Sequence, residues 1–105
     1  MDAPVIVICT FPDPETARRI GRELVERRLA ACVNLLPGIE SIYRWQDQVE
    51  EAGEVLAMIK TTRYGELEEA LRELHPYEVP EIIALPVEKG LPAYLQWLAD
   101  SCAEA

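Results

Sequence analysis

One seven-residue segment holds the side chains best suited to chemistry, running from His75 to Glu81 as His-Pro-Tyr-Glu-Val-Pro-Glu. Its histidine is the only one in the chain, and imidazole is a common ligand of copper(II), with the carboxylates of Glu78 and Glu81 close by in sequence. Pro76 and Pro80 each fix a backbone angle, so the segment holds these groups in a reproducible geometry. The pattern predicts His75, Glu78 and Glu81 as metal ligands, and the alternative is that His75 only caps a helix.

The three cysteines, Cys9, Cys32 and Cys102, are widely spaced and form no CxxC pair. This spacing argues against a structural zinc site or a disulfide framework and predicts a reduced, cytoplasmic protein. Cys9 lies at the end of a strand-like run, where a thiolate would suit a soft ion such as copper(I), and it is the fourth predicted metal ligand. The alternative is a small buried hydrophobic side chain, which we also expect for Cys32.

The composition predicts a single acidic domain that spans residues 1–105. Its 10 Lys and Arg against 19 Asp and Glu give a net charge of −9, and no basic patch is visible. Such a surface repels phosphate, which argues against binding to nucleic acid or to an anionic membrane. No run approaches the ~20 apolar residues of a membrane span, and the first residues lack the pattern of a signal peptide.

The order of apolar and capped segments predicts the elements that position these residues. A strand-like run at 4–11 precedes a helix start at Asp13-Pro14, with the aspartate as N-cap and the proline at the first helical position. Thr62 is the predicted cap of a second helix, which should stop at His75 because a proline follows. The order β-α-β-β-α-β plus a terminal helix is the ferredoxin-like, split βαβ arrangement of an α+β protein. The other strands are expected at 29–36, 39–45, 54–61 and 82–87.

Two helices can cover only one face of such a sheet, yet the first strand is apolar on both faces. At ~25 cal/mol per Å² of apolar area, leaving several Val and Ile side chains in water would be costly for a small domain. A long hairpin is predicted from residues 39–61, with a turn at Gln46-Asp47-Gln48, and its arms exceed what one domain needs. These features together predict a homo-oligomer.

Three segments stand in collinear order over essentially the whole chain: Arg28-Leu29-Ala30-Ala31-Cys32-Val33-Asn34 with Pro37-Gly38 and Ser41-Ile42-Tyr43-Arg44-Trp45, then Lys60-Thr61-Thr62, then residues 75–81 with Gly90, Tyr94-Leu95 and Trp97. Together they resemble the CutA family of divalent-cation tolerance proteins. One departure from the family is Asp47, two positions after Trp45, where the family usually has glycine in the pattern Trp-x-Gly. Aspartate tolerates a left-handed turn position, so we expect the hairpin to persist.

The resemblance implies a ferredoxin-like subunit in a tight homotrimer whose hairpins extend across neighbouring subunits. It also implies a link to copper and other divalent metals, and an architectural likeness to the PII nitrogen-regulatory proteins. It places one further set of residues around clefts between subunits, where they could bind a small anion or a metal complex. The alternative is that the tryptophans of this set are interface anchors. The set is Tyr43, Trp45, Lys60, Glu81 and Trp97.

Catalysis is the function class that the residues support least. Acylphosphatases share the predicted fold, but the loop at 10–14 has two prolines, a carboxylate and no glycine, which is a poor cradle for phosphate. We therefore predict a non-enzymatic, cytoplasmic homotrimer that binds divalent metal, copper foremost, serves metal tolerance and has no organic cofactor. The alternative is a PII-like signalling or scaffold module whose clefts take a small molecule or a partner protein.

Overall fold

The computed structural model describes residues 3–104 and places four strands and three helices in the predicted order. The elements are β1 (Val5–Phe11), α1 (Pro14–Glu26), β2 (Cys32–Trp45), β3 (Gln48–Thr61), α2 (Tyr64–Leu74), β4 (Ile82–Pro86) and α3 (Pro92–Ser101). The sheet has the order β2-β3-β1-β4, and every neighbouring pair of strands is antiparallel. This confirms the ferredoxin-like α+β prediction. No helix within residues 3–104 is both long enough and apolar enough to cross a membrane.

The start of α1 follows the predicted capping pattern. Asp13 has an extended backbone and accepts a hydrogen bond from the backbone N–H of Thr16 at 2.7 Å, while the Thr16 hydroxyl donates to its other carboxylate oxygen at 3.1 Å. Pro14 occupies the first helical turn, where a missing N–H costs nothing. The cap fixes where α1 begins and therefore which face of the helix meets the sheet.

Asp13→Ala is expected to lower the free energy of unfolding by ~1 kcal/mol, because two hydrogen bonds at the N-cap are lost. The matched control is Glu26→Ala, which removes one exposed acid from the last residue of the same helix. Urea unfolding at fixed protein concentration measures both variants. Equal stability of Asp13→Ala and the wild type would contradict the capping role.

The start of α2 differs from the prediction. Thr62 is not its cap: the N-cap residue is Arg63, which makes no side-chain capping hydrogen bond. The hydroxyl of Thr61 instead accepts from the backbone N–H of Arg63 at 2.8 Å and donates to the carbonyl of Leu29 at 2.7 Å. The hydrogen bond to the loop before β2 therefore orients the hydroxyl of Thr61, and not that of Thr62, toward the backbone at the start of α2. At the other end α2 stops with His75 as C-cap, as predicted.

The hairpin of β2 and β3 is longer and more continuous than predicted. β2 does not break at Pro37-Gly38, where the register shifts between Leu36 and Ile39 and the glycine has a φ of 76°. The predicted strand residues 29–31 precede β2, and Gln48, predicted as turn, is the first residue of β3. The tip is a two-residue turn in which Gln46 and Asp47 have φ angles of 49° and 64°, so the left-handed prediction for Asp47 is confirmed.

The two faces of the sheet are covered unequally. The face toward α1 and α2 carries the core, to which β1 and β3 contribute Val7, Cys9, Phe11, Val55, Ala57 and Ile59. The alternate residues point to the opposite face, where the Tyr94 ring of α3 lies 5.9 Å from the ammonium of Lys60. On this second face, called the open face below, the apolar side chains are half-buried or exposed in the single subunit. These side chains are Ile6, Ile8, Leu36, Leu56, Met58, Ile83 and Leu85.

Candidate functional site

His75 is packed and fully hydrogen-bonded at the point where α2 ends. Its Nε2 lies 2.7 Å from the carbonyl oxygen of Thr10, and its Nδ1 accepts the backbone N–H of Tyr77 at 3.1 Å. Because a carbonyl can only accept, Nε2 carries the proton and the ring is the neutral tautomer. The imidazole stacks on Phe11, with ring centroids 4.8 Å apart and an interplanar angle of 12°.

The environment of His75 disfavours its charged form. Burial lowers the pKa of the imidazole, and the Thr10 carbonyl and the charge of Glu54 oppose this effect only in part. His75 is the C-cap residue of α2, which fits the capping alternative, and it occupies that position as a neutral ring. A metal ion could reach Nδ1 only after the Tyr77 N–H had left it, so neither nitrogen is a vacant ligand in the described subunit.

Tyr77 joins His75 to a carboxylate that the sequence analysis did not select. Its hydroxyl donates to Glu54 at 2.7 Å, and burial together with this hydrogen bond raises the pKa of Tyr77. Glu54 is only 9% exposed, although it is the first residue of an otherwise apolar stretch of β3. A signal for it was present in the sequence: its even-numbered spacing from Leu56 and Met58 places a carboxylate among apolar side chains of the open face.

A groove of about 800 Å³ lies between the hairpin and the segment that follows α2. Three aromatic rings and three carboxylates contribute to its walls, and no Lys, Arg or His side chain among the described residues does. The predicted site residues Tyr43, Trp45, Glu78 and Glu81 all line this groove, so the structure brings these four together. Its polar and aromatic lining is Tyr43, Trp45, Tyr77, Glu54, Glu78, Glu81, Thr10 and Ser41.

Cys9 lies on the other face of the sheet from the groove. Its side chain is fully buried in the core, and burial, with smaller contributions from Glu81 and Glu54, raises the pKa of the thiol to about 12. The structure therefore favours the alternative of a small buried hydrophobic side chain over a soft metal ligand. Within residues 3–104 no group of three His, Cys, Asp or Glu side chains could hold a metal ion, so one subunit does not assemble the predicted ligand set of His75, Cys9, Glu78 and Glu81.

The two other residues of the predicted cleft set lie elsewhere in the subunit. Lys60 is six positions beyond Glu54 on β3, about 20 Å at ~3.3 Å per residue. Its ammonium donates to the side-chain oxygen of Asn34 at 2.7 Å and lies 5.9 Å from the ring centroid of Tyr94, which in turn packs against Trp97 at 5.4 Å. Within one subunit the set thus divides into a groove part and a part beside α3.

Comparison with known proteins agrees with this architecture. Residues 5–101 match the family of CutA1 divalent ion tolerance proteins. The chain belongs to this family. It is 51% identical over 98 residues to the divalent-cation tolerance protein CutA of Thermus thermophilus, covering 91% of this chain and 95% of that protein.

Two other CutA proteins match this chain but differ in how much of their own length the match covers. The mouse protein CutA is 55% identical over 91 residues, which are 85% of this chain but only 51% of the mouse protein. The structure of the Xylella fastidiosa CutA superposes with a TM-score of 0.93 at 41% identity, covering 97% of this chain and 100% of that one. The fold is therefore common to the family.

Proposed function

We propose that this CutA-family chain works as a cytoplasmic homotrimer that binds divalent metal ions, copper foremost, and contributes to tolerance of them. Membership in a divalent ion tolerance family supports the general role. The open face is the observation that carries the proposed assembly. We also propose that the role is one of binding and not of catalysis.

Several features of the subunit support its assembly with neighbouring subunits, and the number three comes from the family resemblance. Ile83 and Leu85 are more than half exposed on β4, and Leu36 is nearly so on β2. Such a face is typical of an interface between subunits. The subunit is elongated, 44 × 26 × 22 Å, with two 14-residue strands forming the hairpin. An arm of this length suits contact with a neighbouring subunit, as the family resemblance implied.

The four predicted metal ligands differ in how accessible they are. Glu78 and Glu81 are exposed, whereas Cys9 is buried and His75 would have to release Tyr77 before it could bind an ion. We propose that these two glutamates provide donors and that a neighbouring subunit completes the ligand set. We also propose a reducing compartment such as the cytoplasm, because the three cysteines are widely spaced in the sequence and form no CxxC pair.

Copper titration by calorimetry tests the metal proposal. The double variant Glu78→Gln, Glu81→Gln is expected to lose at least ~10-fold in copper affinity, because two anionic donors become weak neutral ones. The matched control is Glu69→Gln, Glu73→Gln, which removes the same charge from exposed positions of α2. Equal binding by wild type and both double variants would show that copper is held only by the acidic surface. His75→Gln, tested in parallel, shows whether the imidazole joins the site.

The groove favours a second candidate function, a PII-like signalling or scaffold module that binds a small molecule. Its volume of about 800 Å³ lies within the usual range for ligand pockets, roughly 300–1,000 Å³, and its aromatic walls suit an organic ligand better than a bare ion. A thermal-shift screen of metabolites tests this candidate, because a ligand of the native state raises the melting temperature.

A further inference from the structure

A buried carboxylate on the open face has no counter-charge among the residues that the structure describes. Glu54 is nine-tenths buried, and the hydrogen bond that it accepts comes from the neutral hydroxyl of Tyr77. None of the ion pairs among residues 3–104 includes it. A buried acidic group is costly unless a cation or several donors compensate for it. A neighbouring subunit that covers the open face removes the remaining water from this carboxylate, so that subunit has to supply the compensating charge.

The four strands direct one basic side chain to the same face. They contain two basic residues, Arg44 on β2 and Lys60 on β3. Arg44 stands between Tyr43 and Trp45, which both line the groove, so alternation turns its side chain to the other side of the hairpin. Lys60 follows Glu54 by six positions, and this even separation keeps both side chains on the open face. Lys60 is therefore the one cation that β1 to β4 present there.

Lys60 likewise lacks an opposite charge within the described part of its subunit. Its ammonium donates to the side-chain oxygen of Asn34 at 2.7 Å and lies 5.9 Å from the ring centroid of Tyr94. It takes part in none of the ion pairs among residues 3–104, although its side chain is half-buried. Six strand residues, or about 20 Å, separate it from Glu54, so the two charges cannot meet in one subunit. The acid and the cation stand at opposite ends of the same face.

We propose that Lys60 of the neighbouring subunit pairs with Glu54 across the subunit interface. Such a contact joins one end of a subunit to the opposite end of the next, and head-to-tail contacts of this kind close into a ring. A homotrimer then contains three identical ion pairs, and the buried end of the groove belongs to each interface. Glu78 and Glu81 stay at the exposed rim, where they are the proposed metal donors. The pair rests on the proposed homotrimer and names two residues that hold it together.

A double-mutant cycle on the assembled protein tests the pair. Glu54→Gln removes the charge but keeps an acceptor for Tyr77, and Lys60→Gln removes the cation. Each single variant is expected to raise the dissociation constant of the trimer at least ~10-fold, because it leaves the other charge buried without a partner. The double variant should lose no more than either single variant, since no unpaired charge is left. Sedimentation equilibrium over a dilution series measures all four proteins.

Matched controls separate the pair from general charge effects. Glu50→Gln and Lys89→Gln remove the same charges from exposed positions, and both should assemble like the wild type. In a second arm, the reversed pair Glu54→Lys, Lys60→Glu should recover the trimer that Lys60→Glu alone loses. Glu50→Lys, Lys60→Glu has the same net charge and should not recover it. Melting temperatures show whether each variant is folded, and where a reversal variant is not folded the glutamine cycle decides.

The outcomes distinguish the pair from the homotrimer on which it rests. A trimer of unchanged stability in Glu54→Gln or Lys60→Gln would overturn the pair, and so would losses that add fully in the double variant. In either case a trimeric wild type leaves the homotrimer standing. A wild-type chain that is monomeric in the same dilution series would overturn both.

Discussion

Ile83→Asp is expected to abolish the trimer, whereas Val25→Asp should leave it intact. Ile83 is 55% exposed in the single subunit and lies beside Ile8 on the open face. If neighbouring subunits cover this face, an aspartate there is buried without a partner, which costs several kcal/mol, on the order of 3 or more. The variant should therefore appear as monomer or unfold.

Val25→Asp is the matched control because it introduces the same charge at a side chain of similar exposure. Val25 is 41% exposed, but it lies on α1, on the covered side of the sheet and away from the open face. Native mass spectrometry at micromolar concentration measures both proteins. Identical trimer fractions for the two variants would mean that the open face is not the interface.

His75→Ala is expected to lower the free energy of unfolding by about 3 kcal/mol. The change leaves a cavity against Phe11 and removes the two hydrogen bonds that join the end of α2 to β1 and to the following segment. Glu73→Ala, an exposed change in the last turn of α2, is the control and should have little effect. Urea unfolding at one fixed protein concentration compares them, since stability of an oligomer depends on concentration.

His75 also makes the free energy of unfolding depend on pH, in a range set by its two pKa values. The pKa of His75 in the folded protein lies below its usual value of 6.5, so between these two values the unfolded chain binds more protons than the folded one. Its contribution to stability is therefore complete above pH 6.5 and falls as the pH drops toward the folded pKa. Unfolding curves from pH 7 to 5 should show this decline in the wild type and a shallower one in His75→Gln. Equal slopes would contradict a buried neutral imidazole.

The fold was largely predictable because its signals are local. Alternating and continuous apolar runs predicted the strands. Asp13-Pro14 predicted where α1 begins, and Pro76 predicted where α2 ends. The errors arose where tertiary contacts decide between neighbours. Before α2, the hydrogen bond to the Leu29 carbonyl makes Thr61, and not Thr62, the residue whose hydroxyl contacts the start of the helix. In the hairpin, pairing with β3 continues on both sides of Pro37-Gly38, so β2 does not end there.

The candidate site was predictable only in part. Tyr43, Trp45, Glu78 and Glu81 do share one groove, but residue types cannot show that both nitrogens of His75 are already engaged. Nor can they show which partner a side chain meets across strands. The hydrogen bond from Tyr77 to Glu54 joins residues 23 positions apart, and only the folded chain brings them together.

Sedimentation equilibrium of the wild-type chain at micromolar concentration is the most direct measurement. Coverage of the open face by neighbouring subunits predicts a single species of three times the chain mass of 11.9 kDa, with no folded monomer on dilution through this range. A stable, folded species of 11.9 kDa would show that the exposed side chains of Leu36, Ile83 and Leu85 tolerate water, and would contradict the account.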